Sequence, residues 1–261
     1  MTLPTRRPGR TLALLRGGAE AASAIPSIHW PAQLAASLSE LDATWQESAQ
    51  LCADAAWTAR ASGHSLLGLL YPEDALAPGP DPIATRAYRH LYLSALRFDF
   101  RCPTLALLVE QQIPPQEREG LDCYSRALYA FALLGQSRSE GLPLIQRVLD
   151  DAGDHVKTLH ALLHGLWLGH GLSGREEQML QILGRPPFAS RTDPIALFRE
   201  AGALRGLGEY RAALAAIDRA LDLLPPGDVS VHADLVRERS LIAAARDVQR
   251  LIGRHAEAGP E

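Results

Sequence analysis

The chain has 261 residues, 47% of them hydrophobic and 21% charged, with a formal net charge of −4. This is the balance of a globular fold and not of a disordered chain, and a mildly acidic surface offers phosphates no global field, which counts against a nucleic-acid binder. The longest apolar run, Ala127 to Leu134, is eight residues, far short of the roughly 20 that cross a bilayer, so no membrane insertion is expected.

Helix formers dominate, with 44 Leu and 41 Ala against 7 Val and 10 Ile. An all-β or Rossmann-type chain is therefore excluded in favour of an all-α one. The basic residues are 25 Arg and one Lys, Lys157, and there is no Asn, a pattern that suggests a GC-rich bacterial genome. Without Asn, left-handed turn positions are expected to fall to Gly.

In chain order, residues 1–28 read as a flexible N-terminal arm, with three Arg and two Pro before residue 11. Only five residues separate Arg10 from Arg16, too few for the apolar core of a signal peptide. Residues 29–255 read as a single domain and 256–261 as a disordered tail. Cys52, Cys102 and Cys123 form no CxxC pair and sit in helix-like sequence, which predicts buried, reduced thiols and a cytoplasmic location.

Helix-to-helix breaks fall at Gly63, Asp99, Gly135, Gly171 and Gly208, spaced by 36, 36, 36 and 37 residues. Second breaks rich in Pro and Gly lie between them, so each period predicts a helical hairpin. The expected helix pairs are 41–62 with 64–71, 82–97 with 102–112, 117–134 with 139–150, 154–170 with 174–184 and 194–206 with 209–223. A last helix over 229–253 closes the set. Asp81-Pro82 and Asp193-Pro194 mark helix starts, each a cap residue before proline at the first helical position. Arg237, Glu238, Arg239, Arg246 and Asp247 are expected on the outer face of the last helix.

The chain resembles the tetratricopeptide repeat, most strongly over 194–225. Leu197, Ala201 and Leu204 fall on the large, small, large sites of that family's first helix. Gly208 and Tyr210 make the turn, Ala213, Ile217 and Ala220 fall on the small, large, small sites of the second helix, and Pro225 ends it. Glu200 stands where the family carries Leu, and the earlier hairpins have large residues at small sites, as in Tyr124, Leu128 and Phe131. The resemblance implies a right-handed superhelical solenoid of about five antiparallel helical hairpins plus a C-terminal capping helix, with the first helices lining a concave groove.

Four histidines, His155, His160, His164 and His170, crowd one segment, and His160 with His164 have metal-sharing spacing. HALLH lacks the glutamate of a metalloprotease motif, so neither a metal nor a catalytic site is assigned and no cofactor is expected. GHSLLG at Gly63 to Gly68 misses the nucleophile-elbow spacing, because Leu67 stands where glycine is needed. Asp150-Asp151 and Glu176-Glu177 are adjacent pairs, which a helix points apart.

Residues offset by one from the packing stripe of the first helices are the candidate partner-binding set: Arg89, Leu93, Tyr129, His160, His164, Trp167, Phe198 and Arg205. Aromatic and arginine side chains are the types that anchor protein recognition. The expectation is a non-enzymatic scaffold or adaptor holding a protein or peptide segment in the groove, with a homo-oligomer also allowed. The alternatives are a secretion-type chaperone, a ligand-sensing regulatory module, or an enzyme with a metal site at His155–His170.

Overall fold

In the computed structural model, the structure describes residues 37–40, 42–70, 81–225 and 229–257. The expected arm over 1–28 and the end of the expected tail, 258–261, lie outside the described residues. Among the described residues every regular element is a helix. They are α1 (Trp45–Ala61), α2 (Pro82–Phe98), α3 (Cys102–Gln112), α4 (Pro115–Arg118), α5 (Cys123–Leu134), α6 (Leu142–Ala152), α7 (Val156–Leu168), α8 (Arg175–Leu183), α9 (Pro186–Ala189), α10 (Pro194–Gly206), α11 (Tyr210–Leu223) and α12 (Val229–Glu257). The chain divides into two compact units, Met1–Ala132 and Leu133–Glu261, where the sequence reading has one domain.

Helix starts follow local hydrogen-bond chemistry. Asp81 Oδ1 accepts from the Ile83 and Ala84 amides, and Asp193 Oδ1 from those of Ile195 and Ala196, each with proline at the first helical position. These side chains satisfy amides that the helix leaves without a partner. Thr44 and Glu47 form a reciprocal capping box, so α1 begins at Trp45 and not at 41.

Two expected helices are different. Of the segment 64–71, the described residues 64–70 hold a single 3-10 turn, Leu66–Gly68, where glycines at 63 and 68 bound a short run. The helix expected over 117–134 is broken into α4 and α5: the chain turns at Gly120, Asp122 accepts from the Ser125 amide, and α5 restarts at Cys123. The Arg118 guanidinium donates to the carbonyls of Glu110 and Ile113 at the end of α3, fixing the α4 turn against it.

Helix ends correct the expectation about glycine. Left-handed φ occurs at Gly63, Gly171 and Gly208 but also at Phe100 and Ser137. After Gly63, Phe100, Ser137 and Gly208 the next amide bonds the carbonyl five residues back, as in His64 to Ala59 and Arg101 to Leu96. This closing bond of the Schellman motif offsets the roughly 1–2 kcal/mol that a side chain pays in the left-handed region.

In the first unit α1 packs on α2, and α2 on α3. In the second, α10 packs on α11, α8, α7 and α12, and α11 on α12. The core of this second set is Leu197, Phe198, Ala201, Ala213, Ile217 and Ala220 with Leu235 and Ile242 of α12. Ala201, Ala213 and Ala220 are fully buried, so the small residues sit where two helices approach closely. All three cysteines are buried free thiols, as the sequence suggests. Among the described residues no helix is long and apolar enough to cross a membrane.

Candidate functional site

In the second unit the sequence-selected residues of α7 and α10 do come together. The Trp167 ring lies 5.6 Å from the Phe198 ring and 6.3 Å from the His164 imidazole. The Arg199 guanidinium stacks 3.9 Å above the Trp167 ring and 4.8 Å above Phe198. Stacking of this kind holds an indole in one orientation. Gly202, without a side chain, lets the Trp167 indole and the Glu238 carboxylate approach the α10 backbone.

Their exposure differs from a lined groove. Phe198 and His164 are buried, while Trp167 keeps one part of its surface open. Arg205 is held by Glu238, with Nε donating at 2.6 Å and the Glu238 side chain almost wholly buried. Glu238 therefore faces inward, which corrects its expected place on the outer face of the last helix.

In the first unit, Leu93 and Tyr129 are buried and Arg89 is half-buried. The Tyr129 hydroxyl donates to Glu110 Oε1 at 3.1 Å, and burial lowers the Arg89 pKa against the attraction of Asp122. These side chains are engaged inside their own unit.

The four clustered histidines go separate ways. His155 Nδ1 meets the Thr158 hydroxyl at 2.8 Å, and His170 Nδ1 accepts from Arg175 at 3.0 Å. His160 Nε2 bonds Asp193 Oδ2 at 2.8 Å and packs edge-on to Phe188. Burial alone would raise the Asp193 carboxyl, but the His160 hydrogen bond and charge, with the two cap amides, hold it below the usual range. Beside this pair lies a cavity of about 250 Å³, lined by Leu180, Leu183, Phe188 and Leu197 with Arg191 and Glu200. Among the described residues no group of three or more His, Cys, Asp or Glu could hold a metal ion.

A buried polar network escapes the sequence reading. His90 Nδ1 is 2.9 Å from Ser48 Oγ and Nε2 is 2.7 Å from Asp122 Oδ1, and Asp122 Oδ2 accepts from the Ser125 hydroxyl. Ser94 and the Tyr124 hydroxyl meet at 2.8 Å beside it. Burial pushes Asp122 up, but the charge and hydrogen bond of His90 and two bonds from Ser125 outweigh it and leave the carboxyl well below its usual range. A serine, an imidazole and a carboxylate in line have the composition of a nucleophile with its base. Ser48 and His90 are fully enclosed, so the trio ties α1, α2 and the start of α5 together and presents no nucleophile. The legible signal was the polar stripe His90, Ser94 and Arg97 along one face of α2.

Comparison with protein-family models, with curated proteins and with solved structures finds nothing similar to this chain.

Proposed function

We propose that the chain is a non-enzymatic protein-binding module, a right-handed array of helical hairpins of the tetratricopeptide type that holds a segment of a partner protein. The reading is carried by one observation: Trp167 is stacked and oriented by Arg199 and Phe198 yet keeps part of its surface open. An aromatic whose rotamer is already fixed loses little entropy when a partner covers it, the property of an anchor residue. Support for the array comes from α10 and α11, where Ala201, Ala213 and Ala220 are buried at the family's small sites and Gly208 turns left-handed between them. The recurring bond after Gly63, Phe100, Ser137 and Gly208 is what a repeated hairpin turn would produce. Reduced, buried cysteines suit a cytoplasmic role.

The test is selection of a random peptide library on the purified chain, followed by calorimetric titration of the enriched peptides. Trp167→Ala is expected to weaken them by about tenfold or more, about 1.4 kcal/mol, with the helical signal retained. Ala in place of the exposed Arg147 or Gln181 is expected to leave affinity unchanged. No enrichment, or equal loss from Arg147→Ala, would overturn the reading.

A further inference from the structure

The last helix carries two stripes with the same spacing. Val231, Leu235, Glu238 and Ile242 are buried, and α12 packs on α10 and α11. Ten residues on, Leu241, Ala245, Val248 and Ile252 repeat that 4-3-4 pattern on a different face, joined by Ala244 and Leu251. Here the large side chains are open: Leu241 is 46% exposed, Val248 56%, Leu251 50% and Ile252 63%. Every residue from 247 to 252 is exposed, so this stretch of helix buries little apolar surface against the described part of its own chain. Helix stability in proteins comes mostly from burying an apolar face, and an isolated stretch of about 12 residues is marginal in water.

We propose that the Leu241–Ile252 stripe is a self-association surface, on which α12 of a second copy packs by its own equivalent stripe. The 4-3-4 spacing is that of a helix-pairing seam, in which each apolar side chain inserts between those of a facing helix of the same pattern. A two-fold axis then presents the same patch from both copies, a self-complementary contact. Charge placement agrees with this occupant. At 100° per residue, Arg239, Arg246 and Arg250 fall on the side of the helix opposite the stripe, while the exposed Arg237 continues its line one turn before Leu241. An antiparallel two-fold pairing centred on the stripe puts the two copies' Arg237 at opposite ends of the seam and so keeps the like charges apart. The nearest acid, Asp247, is already neutralised by Arg246 and Arg250 at 3.2 and 3.9 Å. On an anionic membrane, by contrast, those arginines would stand away from the surface that the stripe faced.

A pair of helical segments of about 12 residues is small beside a standard specific interface of about 1,600 Å². The dimer is therefore weak and concentration-dependent. The experiment is sedimentation velocity on the full chain between about 1 and 200 μM, a range spanning the affinity of such small interfaces, with the double variant Val248→Glu/Ile252→Glu alongside. Both positions are exposed, so circular dichroism and melting temperature are expected to stay unchanged. The wild type should move from monomer toward dimer as concentration rises, and the double variant should stay monomeric throughout. A wild type that is monomeric at every concentration overturns the proposal, and so does a dimer that persists in the variant. A monomer that co-sediments with phosphatidylserine vesicles through the same stripe overturns it in favour of a lipid surface.

Discussion

Replacing Asp122 by Asn tests whether the enclosed network carries a charge pair. The carboxylate accepts from His90, from the Ser125 amide and from the Ser125 hydroxyl, at 2.7, 2.9 and 2.8 Å. An amide keeps an acceptor for one or two of these and loses the charge. At pH 7 the cost is that of disrupted buried hydrogen bonds, about 1–3 kcal/mol. The wild-type Asp122 carboxyl lies well below the usual range, so the stabilisation it provides is complete above the unfolded value near 4 and is lost as pH falls from there through the lower folded value. The variant has no such carboxylate, so its cost relative to the wild type is expected to shrink by about 1 kcal/mol between pH 7 and pH 3. Urea unfolding followed by circular dichroism at pH 7 and pH 3 measures both differences. A destabilisation that is the same at the two pH values, or below about 0.5 kcal/mol at both, refutes the charge-pair argument.

Ala213 is fully buried in the cluster that α10, α11 and α12 share, so Ala213→Leu is expected to overpack it and cost about 1–3 kcal/mol. Ala215, exposed on the same helix, should accept Leu within about 0.5 kcal/mol, and equal urea midpoints for the two variants would place the helix in another register. Burial pushes the thiols of Cys52 and Cys102 up to about 12 and about 11. The native chain is accordingly expected to show no fast reaction with a disulfide reagent at pH 8, and all three cysteines should react once urea unfolds it.

Which parts of the architecture could be read in advance follows from the range of the forces involved. The bounds of α3, α10 and α11 were legible because caps and breaks act within a few residues, as where Asp193 and Pro194 start α10. The split between α4 and α5 was not. It depends on Arg118 reaching back to carbonyls of α3, and on Asp122 being committed at once to the Ser125 amide and to His90 of α2. The left-handed turns at Phe100 and Ser137 defeated a rule built on glycine, since backbone bonds across the turn compensate for the side chain. The Ser48, His90 and Asp122 network joins residues far apart in the chain, and no periodicity within one helix indicates which helices will be neighbours.

The candidate site shows the same division within a single cluster. A register one residue from the packing stripe brought His164, Trp167 and Phe198 to one place, because a step of 100° moves a side chain to the edge of a helix contact and not to its far side. An edge position is partly covered by the next helix, which is why Phe198 and His164 are buried while Trp167 retains an open surface. Arg205 occupies such an edge too, but its guanidinium is taken up by Glu238 at 2.6 Å, a carboxylate with almost no access to water. A partner that offered its own carboxylate to Arg205 would strand the charge of Glu238, an unfavourable exchange because that carboxylate is shut off from water. Binding energy is therefore better drawn from the open surface of Trp167, where covering apolar area displaces no existing bond. Arg205 serves by fixing α12 to α10, so its loss should first appear in stability, and the loss of Trp167 in capture of the partner.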